Sequence, residues 1–164
     1  MNAPKYLALT AALVAIALPQ VAGAKPAALS KSWAGTWQLN MDKSKFSSPD
    51  FTPKSDTRTY SVSGNHVTMR STGVNAAGKT MKWSYSAATD GKWYRTMGNP
   101  NTDHVALTWV SPREFTSKTK LKGKATAKST ANISEDGKML TIKRSILTAK
   151  GGATDDSLVF ERAK

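Results

Sequence analysis

The sequence predicts an all-β fold, a single antiparallel up-and-down β-barrel of about 8 to 10 strands. Three observations carry this prediction. Apolar and polar residues alternate with a period of two in short runs, glycine-bearing turns separate those runs roughly every 10 to 15 residues, and helical periodicity is nearly missing after residue 24. Short turns make sequence neighbours into spatial neighbours, and closing the sheet removes the edges that invite aggregation. A two-sheet sandwich is the alternative arrangement, although no long crossover points to a Greek key.

The elements follow in chain order. Residues 1–24 carry Lys5, an apolar run over 7–18 and the small residues Ala22, Gly23 and Ala24. That is the layout of a secretory signal peptide, and the apolar run is short for a membrane span. Cleavage near Ala24 predicts a periplasmic or secreted protein with one domain over 25–164; an uncleaved anchor is the alternative. The chain has no cysteine, so an exported domain must be held by packing and hydrogen bonds instead of disulfides. Its net charge is +13, or about +12 without Lys5, which favours anionic partners and says nothing of fold.

The first strand is expected over residues 33–40. A longer connection over 41–56 reads as a helical turn at 42–46, followed by Pro49 and Pro53, which forbid a regular strand. It is long enough to cover one barrel end. Strands are then expected over 57–63, 66–72, 80–87, 92–98 and 104–110, and further ones over 114–121, 125–134, 138–147 and 156–162. Gly64-Asn65, Asp90-Gly91 and Asp136-Gly137 suit tight hairpins, while Ala77-Gly78-Lys79 and Lys122-Gly123-Lys124 suit looser ones.

Alternation assigns one face of each strand to the interior. The inward set comprises Tyr60, Val62, Val67, Met69, Met81, Trp83, Tyr85, Trp93, Met97, Val105, Leu107 and Trp109. It continues with Phe115, Leu121, Ala127, Ala131, Ile133, Leu140, Ile142, Ile146, Leu158 and Phe160. The same parity turns Arg58, Arg95, Arg144 and Arg162 inward, against Asp156 alone. Buried cations need partners, so either an anionic ligand meets them or they sit at the barrel mouths, pair with Asp156 or water, or stack on tryptophans. Ala125, Ala127, Ser129 and Ala131 make one wall small, which leaves either a cavity or a space that opposite tryptophans fill.

Gly35-Thr36-Trp37, placed on the first strand of an antiparallel barrel, resembles the Gly-x-Trp opening of the calycin group, the lipocalins and fatty-acid-binding proteins. The longer Gly35-Thr36-Trp37-Gln38-Leu39-Asn40 with Lys43-Ser44-Lys45-Phe46 is similar to the opening of small exported bacterial lipocalin-like domains. The motif covers residues 33–46, and the strand rhythm extends the likeness to Arg162. The resemblance implies that Arg162 lies across Trp37 and that Gly35, Trp37 and Arg162 form a barrel-closing structural motif. Neither the C-terminal helix of typical lipocalins nor the helix pair of fatty-acid binders is evident, so ligand chemistry does not carry over.

For function, no catalytic constellation stands out. His66 and His104 begin separate strands with outward parity, the acidic residues are turn formers or isolated, and no nucleophile elbow, phosphate loop or His-Glu metal motif occurs. No enzyme activity, cofactor or metal is expected. The leading expectation is non-catalytic binding of a small apolar or amphipathic, anionic ligand, with Tyr60, Trp83, Tyr85, Trp93 and Trp109 lining the site and Arg95 and Arg144 meeting the charge. The alternative is a basic interaction module for lipid head groups, lipopolysaccharide or a protein, built on Lys118, Lys120, Lys122, Lys124 and Lys128. Such lysines also serve solubility. Nucleic acid is not expected, since aromatic residues interleaved with the cations are lacking.

Overall fold

In the computed structural model, which describes residues 28–148 and 151–163, the alternating runs fold as ten strands. They are β1 (Gly35–Lys45), β2 (Ser55–Ser63), β3 (His66–Val74), β4 (Thr80–Ala88) and β5 (Asp90–Met97), then β6 (His104–Ser111), β7 (Glu114–Leu121), β8 (Lys124–Ile133), β9 (Met139–Leu147) and β10 (Ala153–Arg162). The expected leader, residues 1–24, lies outside the described residues. Every neighbouring pair is antiparallel, and β1 pairs with β10, so the meander closes into a ten-stranded barrel. Among the described residues, closure gives every strand a neighbour on both sides.

Two expectations about the start of the domain are corrected. Trp33, expected to open the first strand, lies instead in a 3-10 turn over Lys31–Trp33, and β1 begins at Gly35. The expected helical turn at 42–46 is absent because β1 runs on to Lys45 through an irregularity after Asn40. There the Asn40 side chain accepts the Lys43 backbone N–H at 3.0 Å, and the Ser44 hydroxyl donates to the Asn40 carbonyl at 2.6 Å. These local bonds replace ladder bonds and bend the strand. A 3-10 turn at Pro49–Phe51 then folds the connection toward the barrel end.

The core is concentrated at the opposite end. Trp33, Trp37, Met69, Leu107, Leu140, Leu158 and Phe160 are fully buried there. Trp33 sits beneath the barrel as a plug: its indole N–H donates to the Pro112 carbonyl, its ring packs 4.5 Å from that of Phe115, and its carbonyl accepts the Trp37 indole N–H. Truncating a buried tryptophan of this kind costs about 3–5 kcal/mol. Arg162 completes the closure, its guanidinium 4.3 Å from the Trp37 ring centroid and donating to the carbonyls of Gly137, Ala34 and Ser32. Gly35 is required beneath it, since a Cβ there would strike the Arg162 guanidinium and its φ of +134° disfavours other residues.

Two strands, β5 and the start of β8, depart from their expected parity. Gly91, with φ +79°, begins an irregularity in the pairing of β5 with β6 between Asp90 and Trp93, and the extra residue reverses the faces that follow. Tyr94 therefore packs on the core, while Trp93, Arg95 and Met97 point outward. A second shift, between Thr119 and Lys120, turns Ala125 outward and puts Thr126 inside. The β7–β8 connection is tighter than expected, with Lys122 and Gly123 both at positive φ in a two-residue turn.

Candidate functional site: a cavity at the open barrel end

The half of the barrel remote from Trp33 is hollow. A cavity of about 550 Å³ opens between the β1–β2, β3–β4, β5–β6, β7–β8 and β9–β10 connections. Its small wall comes from β7 and β8, where Ser117, Ser129, Ala127 and Ala131 leave the volume that larger side chains occupy at the plugged end. Ser117 and Ser129 satisfy each other at 2.7 Å, so this wall exposes little unpaired polarity. Facing it are Trp83, Tyr85, Met81 and Tyr60; Phe115 and Ile142 close the depth, and Ile146 lies nearer the mouth. Phe51 and Leu147, both substantially exposed, stand at the rim.

Two ion pairs are built into the cavity wall. Arg58 Nε lies 2.8 Å from Asp56 Oδ2, and Ser71 donates to the other carboxylate oxygen at 2.7 Å. The Arg58 guanidinium also rests over the Phe160 ring at 4.8 Å and near Trp83 at 5.8 Å. Burial alone would lower its pKa, but the Asp56 carboxylate and Tyr60 outweigh that and raise it. On the β9–β10 side, opposite residues Arg144 and Asp156 meet at 2.8–2.9 Å, and Asp156 accepts the Ser47 backbone N–H. Burial lowers the Arg144 pKa, and Asp156 only partly offsets it. Arg144 also donates to the Phe51 carbonyl at 2.9 Å, which ties the covering loop to the wall.

Burial of the two tyrosines pushes both phenols above their ordinary value, that of Tyr85 well above. For Tyr60 the nearby Arg58 works against the rise, and for Tyr85 the adjacent Tyr60 adds to it. Both phenols stay neutral donors and acceptors across ordinary pH.

The proposed ligand-lining residues divide as follows. Tyr60, Trp83, Tyr85 and Arg144 are brought together around the cavity. Trp109 points inward but packs on the core at the plugged end, outside the cavity lining, with its indole N–H buried and unpartnered. Trp93 and Arg95 are corrected: the irregularity at Gly91 places both on the outer surface. The inward arginines find partners within the protein: Arg144 pairs with Asp156 and Arg162 stacks on Trp37, as one of the two alternatives held, while Arg58 pairs with Asp56, a carboxylate that alternation had not placed inside. Asp56 is the site residue that alternation alone did not single out, and the signal available was its i, i+2 spacing from the inward-facing Arg58 on one strand face. The basic residues Lys118, Lys120, Lys122, Lys124 and Lys128 lie together on the β7–β8 hairpin. Among the described residues no group of three or more metal-ligating side chains occurs.

No protein-family model matches the chain. No curated protein matches it either. Among solved structures, the chain is similar to zebrafish ileal bile acid-binding protein complexed with cholic acid, with a TM-score of 0.50 and 9% identity over 80% of this chain and 99% of that one. It also aligns with lobster apocrustacyanin A1 at a TM-score of 0.44 and 18% identity, over 80% of this chain and 61% of that one. Apocrustacyanin C1 aligns at a TM-score of 0.44 and 20% identity, over 81% of this chain and 62% of that one. The chain thus spans less than two thirds of either apocrustacyanin. At such identities the first likeness concerns fold alone, and with the ten-stranded antiparallel closure it shows that this chain has a lipocalin-like β-barrel fold.

Proposed function

We propose that this protein binds a small apolar or amphipathic molecule inside its barrel and performs no chemistry on it. The observation that carries this reading is the hollow open end. About 550 Å³ bounded by Trp83, Met81, Phe115 and Ile142, with wall groups such as Arg58, Ser71, Ser117 and Arg144 already paired to other side chains, has the size of a ligand pocket. The similar fold solved with cholic acid inside its complex is compatible with such a role.

The ligand's polar part meets a neutral environment. Both interior guanidiniums are committed to carboxylates, so a free anionic head would have to displace Asp56 or Asp156, or the Phe51 carbonyl from Arg144. An uncharged or weakly polar head fits the paired wall better than a carboxylate. Export to the periplasm or medium belongs to the same reading, supported by the pattern of Lys5, the apolar run and Ala22-Gly23-Ala24.

The test is native mass spectrometry and solvent extraction of protein purified from its own cells, followed by titration of the emptied protein with amphiphiles while tryptophan fluorescence is read. Binding that saturates at one site, and that Ser129→Phe abolishes by filling the cavity while the fold is kept, is the expected result. Protein that is always empty and indifferent to fatty acids, sterols and their uncharged analogues would sink the reading. Fractionation with N-terminal sequencing tests cleavage near Ala24.

A further inference from the structure

The irregularity at Gly91 does more than remove Trp93 from the cavity. Trp93 lies opposite Ala106, Ala106 opposite Lys118, and Lys118 opposite Lys128; Arg95 lies opposite His104, and His104 opposite Lys120. Cross-strand partners share a face, so the shift sets an indole and a guanidinium among the lysines of the β7–β8 hairpin. Trp93 is 43% exposed with the Lys120 ammonium 4.3 Å from its ring centroid, and Met97, on the same face, is 71% exposed. Ala106 is buried beneath these longer neighbours.

The charge on this face is uncompensated. Among the described residues, Arg95, Lys118, Lys120, Lys122, Lys124 and Lys128 form no ion pair. Asp103, at the edge, is engaged by His104 at 2.8 Å and by the Lys122 backbone N–H at 2.7 Å, and Glu114, at the far end of β7, accepts from Asn132. The Lys122-Gly123 turn sits at the same barrel end as the cavity mouth, which Leu121 lines.

We propose that this outer face docks on the surface of an anionic phospholipid bilayer, with the cations at the head-group phosphates and Trp93 and Met97 entering the interface. An indole with an apolar body and a polar N–H belongs at that depth, and stable surface attachment takes an apolar contact together with a basic patch. Nucleic acid fits less well. Base stacking wants a track of open aromatic faces, whereas here one indole already has an ammonium over one face and its apolar companion is a methionine. The proposal goes beyond the interior-binding reading and does not require the cavity to be occupied.

The experiment is co-sedimentation of the full protein with vesicles of equal parts phosphatidylglycerol and phosphatidylcholine, and with vesicles of phosphatidylcholine alone. Binding to the anionic vesicles is expected to weaken about fivefold for each cation removed, hence about 25-fold for Lys118→Ser with Lys120→Ser. It should also fall when salt rises from about 0.05 to about 0.5 M. Trp93→Ala should weaken it several-fold, while Arg70→Ser, on the outer face of β3, should change it by less than about twofold. All four positions are on the barrel's outside, and circular dichroism should be that of the parent. Equal binding to neutral vesicles, parental binding by the double lysine variant, or tighter binding to a single-stranded oligonucleotide at the same salt would overturn the proposal.

Discussion

The Arg162 guanidinium lies 4.3 Å from the centroid of the Trp37 indole, and the two residues are register partners where the last strand meets the first. The contact joins a cation–π attraction to hydrogen bonds with the carbonyls of Gly137, Ala34 and Ser32. One side chain thereby holds the β8–β9 turn, the segment that carries the Trp33 plug and the barrel seam together. Lysine cannot present a planar fork to three carbonyls. Arg162→Lys should therefore lower stability by about 2–4 kcal/mol in urea denaturation. An unchanged midpoint would show that the seam does not depend on this residue.

The Arg144–Asp156 pair should behave as a unit. Asp156 has no exposed side-chain surface, so Arg144→Met leaves a buried carboxylate with only Ser47 for company. That single change should cost about 3–5 kcal/mol, and Arg144→Met with Asp156→Leu should be clearly less destabilised than the two single effects added. Four proteins compared in one denaturation series give the coupling; simple additivity would mean that the pair is not electrostatically linked.

The buried phenols predict an alkaline signature. Burial raises the pKa of Tyr60 and Tyr85 in the folded barrel, whereas both titrate near the ordinary value of 10.0 once unfolded. Above that pH the unfolded chain releases protons that the folded one retains, so stability is full below pH 10 and falls as pH rises toward the folded values. Ultraviolet titration should show phenolate forming later in native than in denatured protein. Coincident curves would contradict the burial of these rings.

Trp93 should dominate quenching by a neutral solute. Trp33 and Trp37 are wholly buried, while Trp93 is 43% exposed. Acrylamide should quench a distinct accessible fraction of the emission, and Trp93→Phe should remove most of that fraction. If quenching survives the substitution, β5 does not carry the register described. Gly91→Ala should in turn destabilise the fold by about 1–2 kcal/mol, because its φ of +79° is unfavourable for a Cβ.

Much of the candidate site was legible as a face and not as a set of partners. Tyr60, Trp83, Tyr85 and Arg144 could be placed inside because each lies on a strand whose alternation is unbroken as far as that residue. Asp56 was missed since it stands at the start of β2, where parity has too few neighbours to read, and its role appears only beside Arg58 and Ser71. Trp93 and Arg95 were misplaced for a different reason. Asp90-Gly91 reads as a hairpin turn, yet in the barrel Asp90 already pairs with Thr108 and Gly91 begins an irregularity within the strand.

The closing partners Trp37 and Arg162 were implied by the resemblance of the Gly35-Thr36-Trp37 opening. By itself the sequence determined the class of fold, the approximate run of strands and the small wall of β8. Those features follow from local alternation and turn chemistry, which each segment carries independently of its surroundings. Tertiary structure alone decided that the large side chains gather at the Trp33 end and leave the other end hollow. It also decided that the interior charges cancel, and that an exposed indole joins the basic hairpin. These depend on cross-strand register, and a single residue inserted into a ladder reverses every face beyond it.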